Sequence, residues 1–130
     1  MTTGTPALQP FVRQRTMLLT TYRRDGTPVG TPVSVAVEAD RAFVRTSHKA
    51  WKVKRLRNNP EVEIAPSTFR GRPTGPALRA RARLLAGDEA AHASRSINRK
   101  YPIFEGVLVP VLFFVGRARM VHYELTPLTP

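Results

Sequence analysis

The sequence predicts a mainly β fold with a few helices, a closed or split barrel. Three observations predict it. Short stretches of alternating or β-branched apolar residues recur along the chain. Tight-turn signals such as Asp25-Gly26 separate them. Only two well-marked stretches carry helical spacing, so the order reads β-β-β-α-β-β-α-β. A length of 130 residues with 42% hydrophobic content gives one domain, 1–130, able to bury its own core, with residues 1–5 a loose tail.

Each element has a local reason. Pro6 to Gln14 reads as a short helix. Thr16–Tyr22 (TMLLTTY) is β-branched and apolar, and the Asp25-Gly26 turn follows it. Pro28–Glu38 (PVGTPVSVAVE) reads as one second strand, with Val33, Val35 and Val37 on one face and Pro32 without a ladder donor. A tight turn at Ala39-Asp40 leads to a third strand, Arg41–Ser47, completing a three-stranded meander. The segment after it, TSHKAWKVKRLRNNP, has Val53 and Leu56 at helical spacing among Lys and Arg. Ser47 or His48 is expected to open that helix, and Asn58-Asn59-Pro60 to close it, because a residue before proline avoids the helical region. Glu61–Pro66 is a fourth strand and Ser67–Pro76 a Gly/Pro-rich loop. Ala77–Leu85 alternates, with Arg79, Arg81 and Arg83 on one face and Leu78, Ala80, Ala82 and Leu84 on the other. The stretch GDEAAHASRSINRKY reads as a helix capped near Gly87-Asp88, with acids first and Arg99-Lys100 last, as the helix dipole favours. Residues 102–115 read as an apolar helix or a strand pair. Arg117–Leu125 is a closing strand.

Composition excludes several functions. There is no cysteine, so disulfides, thiolate nucleophiles, iron–sulfur clusters and cysteine zinc sites are out, and a reducing cytoplasm is expected. No leader of signal-peptide type opens the chain. The longest apolar run, residues 107–115, contains Pro110 and falls far short of the roughly 20 residues of a membrane-spanning helix. The three histidines have no ligand spacing, and no catalytic triad, diagnostic carboxylate pair or metal motif is present.

Charge is the unusual feature. Lys and Arg total 21 against 9 acids, for a formal net of +12, and all but four of the 21 are arginine. Arginine favours bidentate contact with phosphate and carboxylate, so a polyanionic partner is expected, against a composition bias that leaves merely solvated basic faces. The end of the third strand is the focus. Thr46 and Ser47 supply hydroxyls, the following backbone N–H groups form a natural anion cradle, and Lys49 and Lys52 lie one helical turn apart. An ordinary Ser-capped basic helix is the bland alternative. Trp51 reads as a core or interface anchor before it reads as a stacking platform.

Three motifs, DGTPVGTPV, KVKRLRNNPEV and RGRPTGP, in this order and spacing between Arg15 and Asn98, resemble the pyridoxamine 5′-phosphate oxidase-like split-barrel superfamily. More narrowly they are similar to its actinobacterial F420-dependent oxidoreductases. The resemblance implies an FMN-binding-type split β-barrel, a homodimer with a cofactor groove at the subunit interface, and coenzyme F420 as ligand, with FMN the alternative. It implies that Pro32, Val33 and Ser34 lie along the tricyclic ring, that Thr46 and Ser47 line the cofactor, and that Lys52 grips its phosphate. Lys49, Ala50 and Trp51 fall in the same phosphate-side loop; relatives often carry Arg where this chain has Ala50, with Lys49 a substitute. Relatives also frequently carry an acidic-glycine pair where this chain has Arg79-Ala80. The stretch FEGVLVPVLFFVG is more apolar than expected and reads as an added dimer or peripheral membrane surface, residues 103–115. Hydride transfer to a small organic substrate is the implied chemistry. Tyr101, Ser34, Thr46 or water are the proton-donor options, and no catalytic residue is assigned. A non-enzymatic basic protein, a carrier of F420 or a nucleic-acid binder using Arg79, Arg81 and Arg83, is the other class; sparse aromatics (8%) count against nucleic acid.

Overall fold

The computed structural model describes residues 6–101 and 119–128. After a 3-10 helix, Pro6–Phe11, come β1 (Met17–Tyr22), β2 (Pro28–Val33), β3 (Ala36–Glu38), β4 (Arg41–Ser47), α1 (Trp51–Asn58), β5 (Glu61–Pro66), β6 (Leu78–Leu85), α2 (Gly87–Lys100) and β7 (Met120–Pro127). All strand pairs are antiparallel, in one sheet of order β2-β1-β5-β6-β7-β4-β3. The two edges, β2 and β3, are consecutive in the chain, with only Ser34 and Val35 between them. A two-residue link cannot span an open seven-stranded sheet, where neighbours lie about 4.8 Å apart. The sheet therefore curls until its edges meet, which makes it a split barrel.

This topology corrects the single second strand read from sequence. The chain pairs with β1 as far as Val33, turns at Ser34–Val35, and then pairs with β4 from Ala36. The pattern misled because Val33, Val35 and Val37 do face one core: Val35 is fully buried and the other two pack against it. Inward alternation continues through the bend although the pairing partner changes. Pro32 sits opposite Leu18 on an edge strand, where a missing N–H costs no ladder bond on the outer side.

The barrel interior is filled by Met17, Leu19, Val44, Val62, Ile64 and Leu125 from the strands, with Leu8 and Phe11 from the 3-10 helix and Leu56 from α1 entering the same core. A second cluster, Phe43, Leu85, Ala93 and Ile97 among it, lies between the sheet and α2. Phe43 and Val44 thus face opposite sides of β4 into two cores. On β6 the expected alternation holds at Ala80 and Ala82 but breaks at Leu84, which is exposed while Leu85 is buried against α2. The α2 helix packs against β4 and β7 beside the end of β6, so Leu85 finds apolar cover there and Leu84 does not. Neither helix has the side-chain cap read from sequence: α1 starts after Ala50 and α2 after Ala86, both extended and without a capping hydrogen bond. The Ala39-Asp40 turn is present, with Ala39 at φ 55°. Residues 1–5 and the 102–115 segment lie outside the described residues.

Candidate functional site

The end of β4 and the start of α1 are built as follows. Ser47 closes β4 opposite Met120 of β7. The His48 N–H donates to the Arg119 carbonyl at 2.9 Å, the Lys49 N–H to Ser47 Oγ at 3.2 Å, and the Ala50 N–H to the Ser47 carbonyl at 3.0 Å. His48 Nδ1 in turn accepts the Arg119 N–H at 3.1 Å. The backbone donors of residues 48–50 are thus engaged inside the chain. Because α1 begins at Trp51, Lys49 lies before the helix rather than one turn from Lys52 on it, and its side chain is exposed. Trp51 is 71% exposed, with Lys54 Nζ 5.1 Å from its ring centre, so it is no core anchor.

Lys52 behaves differently. It is half-buried and its Nζ donates to Thr46 Oγ1 at 3.2 Å. Thr46 is itself buried. One turn on, Arg55 Nε donates to Oγ1 of Thr21 on β1 at 2.6 Å. Burial first, and then the Arg55 charge, pulls the Lys52 pKa below the ordinary lysine value. Burial and the Arg23 charge likewise lower that of Arg55. Lys52 and Arg55, one turn apart on α1, are therefore each directed at a buried threonine.

The contrast with the other arginines is informative. Arg79 pairs with Glu61 at 2.7 Å, and Arg81 lies 3.8 Å from the same carboxylate. Arg83 contacts Glu89 at 2.7 Å and Glu124 at 3.2 Å, and Arg41 contacts Glu124 at 2.8 Å. The β6 arginine ladder, the basis of the nucleic-acid reading, is thus largely matched by carboxylates. Among the described residues no carboxylate pairs with Lys52 or Arg55. Two half-buried cations whose neutral partners are hydroxyls form a site able to accept an anion.

Pro32 and Val33 sit at the far end of β2, opposite Leu18 and Met17. Thr21, the Arg55 partner, is four residues along β1 from Met17, about 13 Å at roughly 3.3 Å per residue. The Pro32–Val33 end of β2 and the Arg55–Thr21 contact therefore occupy separate stations along β1, while Lys52 reaches Thr46 on β4. Pro32 is exposed, and Gly71 approaches it across the loop, where an added Cβ would lie 3.5 Å from Pro32 Cδ. The loop itself forms an open concavity of about 940 Å³ lined by Thr68, Phe69, Arg70 and Arg72 among others, separate from Lys52.

Sequence reasoning missed Arg55, Arg23 and Thr21. Arg55 stands three residues after Lys52, on the same helix face, which was a usable signal; Thr21 continues the inward alternation of Met17 and Leu19. Two other groups are committed elsewhere. The Tyr101 hydroxyl lies 2.7 Å from the Arg15 carbonyl, and Thr46 receives Lys52. A further polar cluster under α2 joins Glu38 to His92 Nε2 (2.6 Å), Ser96 Oγ (3.0 Å) and Arg41 (3.3 Å). Among the described residues no group of His, Asp or Glu has the spacing to hold a metal, and no helix is long and apolar enough to cross a membrane.

Comparison with solved structures places this architecture. The haem storage protein HutZ of Vibrio cholerae superimposes with a TM-score of 0.71 at 17% identity, covering 99% of this chain and 93% of that one. An F420 reductase gives a TM-score of 0.61 at 18% identity, covering 96% and 95%. A conserved hypothetical protein of Mycobacterium tuberculosis gives 0.68 at 23% identity, covering 96% and 81%. Identities this low establish a shared fold. No curated protein matches the sequence significantly. The profile of the pyridoxamine 5′-phosphate oxidase family, however, matches residues 5–121 of the 130, and with its antiparallel split barrel the chain belongs to that family.

Proposed function

We propose that this chain is an F420-dependent oxidoreductase. Two subunits of a homodimer would form the cofactor groove, in the cytoplasm, and the substrate is a small unsaturated organic molecule. The observation that carries the reading is the Lys52–Arg55 pair: half-buried cations, next to Thr46 and Thr21, with no carboxylate partner among the described residues. A charged phosphate group fits that chemistry, because it supplies a counter-charge that no carboxylate among the described residues provides. The F420 reductase among the structural neighbours supports the same choice, as does a net charge of +12, which suits a ligand with a polyglutamate tail.

In this reading Lys52 and Arg55 hold the phosphate, with Thr46 and Thr21 fixing the two cations in direction. The edge at Pro32, Val33 and Ser34, exposed at Pro32, carries the flat ring; Pro32 offers no N–H, so a ring can approach that edge without stranding a donor. Ser47, Lys49, Ala50 and Trp51 border the groove, and the exposed Trp51 is available to the second subunit. When bound, the deazaflavin supplies the hydride-carrying carbon. The chain's own part is to align the ring and exclude water.

FMN carries a phosphate too, so the cation pair alone favours neither; the polyglutamate argument favours F420. The test is to titrate the purified protein separately with F420 and FMN, following fluorescence and absorbance. F420 is expected to bind at micromolar concentration or tighter, and at least tenfold better than FMN. A reversed preference moves the assignment to an FMN enzyme of the same fold. Uptake of neither, with a Soret band on addition of haem, moves it to a haem carrier.

A further inference from the structure

The two residues that join the barrel edges carry an unusual set of contacts. Val35 buries its side chain completely in the barrel core. Its backbone lies between β2 and β3 and leans on the C-terminal end of α2 instead. The Val35 carbonyl accepts Lys100 Nζ at 2.6 Å, and the Val35 N–H donates to the Tyr101 hydroxyl at 3.3 Å. The same two side chains reach the segment entering β1. Lys100 Nζ donates to the Gln14 carbonyl at 2.6 Å, and the Tyr101 hydroxyl lies 2.7 Å from the Arg15 carbonyl. Consecutive side chains from one helix end thus clasp the β2–β3 bend to the lead-in of β1. Lys100 sits in no ion pair among the described residues; its ammonium is half-buried among carbonyl oxygens.

That clasp has a consequence for the neighbouring edge. Val35 is one residue from Ser34 and three from Pro32. A strand leaving a bend takes its direction from the residue held at the bend, and β2 is an edge with one pairing partner, β1. We infer that Lys100 and Tyr101 are positioning residues for the Pro32–Ser34 edge, fixing through the Val35 backbone the angle at which a flat ring meets the protein. The inference rests on the proposal that this edge carries the cofactor ring. Neither side chain touches the cofactor in this arrangement; both act through Val35. The protonated form of Lys100 suits its carbonyl acceptors, although burial lowers its pKa to about 8.

The experiment uses the full chain and two variants, Tyr101→Phe and Lys100→Met, with F420 and a 5-deazaflavin riboside that has the ring but no phosphate. Tyr101→Phe keeps the ring packing and removes only the hydroxyl, so it reports even if Lys100→Met does not fold. The expected result is a changed visible circular dichroism band of bound F420, and an affinity for the riboside at least tenfold weaker, while Lys52→Met leaves riboside affinity intact. A merely structural clasp would lower thermal stability without altering the bound ring's dichroism. Unchanged dichroism and riboside affinity in a folded variant overturn the inference. If the wild-type chain takes up no F420 and no FMN, the proposed function has failed separately. Hydrogen exchange then decides the clasp: faster exchange by tenfold or more at Val33 and Val35, with Val62 and Ile64 unchanged, supports it, and uniform exchange overturns it.

Discussion

Replacing Lys52 by methionine should push ligand affinity and protein stability apart. Two terms act on stability. The Lys52 ammonium is held below its ordinary pKa, first by burial and then by Arg55, so its charge is a cost to the folded state at neutral pH. For a lysine with a depressed folded pKa, the unfolded chain binds the proton more tightly, so stability rises with pH between the folded and unfolded values. Methionine removes that cost and keeps the apolar stem. Against it, the hydrogen bond to Thr46 at 3.2 Å is lost, a long bond from a charged donor worth about 1.5 kcal/mol, the low end of its class. The two act in opposite directions, so the net loss of stability should be smaller than that bond alone, below about 1.5 kcal/mol. Affinity for F420 has no such compensation. One charge-assisted hydrogen bond to a phosphate is worth about 1.5–3 kcal/mol, or roughly 10- to 150-fold in Kd. Partial burial keeps the loss inside that range rather than at the weak limit of a fully exposed pair. Denaturant melts and a fluorescence titration of the same preparation give both numbers. Equal affinity in the variant refutes the phosphate assignment. A stability loss well above about 1.5 kcal/mol refutes the sign argued for the buried charge.

Three other outcomes follow from the same structure. Leu56→Ala should cost about 2–5 kcal/mol in urea unfolding, since Leu56 is 5% exposed and is the α1 residue that enters the barrel core. Ala39→Gly should raise stability by up to about 1 kcal/mol, read as a higher melting temperature, because Ala39 holds φ 55° in a two-residue hairpin where glycine has no Cβ conflict. Acid should unfold the protein through Glu38 and Glu124. Burial opposes ionisation of both, yet hydrogen bonds from His92, Ser96 and Arg41 to Glu38, and from Arg83 and Arg41 to Glu124, hold them below the ordinary glutamate value of 4.5. Their contribution is complete above that value and is lost as pH falls through the lower folded values. Glu124→Gln should flatten that acid transition in a pH series of melts; an unaltered profile would mean the network contributes nothing.

The chain order of strands and helices was legible in the residues because its causes are local. Asp25-Gly26 and Ala39-Asp40 set two hairpins, Asn58-Asn59-Pro60 stops α1, β-branched and apolar residues mark β1, and Val62 and Ile64 alternate inward on β5. Lys52, too, could be singled out from the motif that contains it. The tertiary structure decided what depends on partners distant in sequence. Val33, Val35 and Val37 alternate as one strand would, yet only the meeting of β2 with β1 and of β3 with β4 shows that the chain turns from one barrel edge to the other at Ser34–Val35. Arg79, Arg83 and Arg55 look alike as residues, but Glu61, Glu89 and Glu124 fold up beside the first two, and Thr21 beside the third. A charge's meaning is set by what lies within a few ångströms of it, and the sheet order, rather than the order of residues, brings those neighbours together.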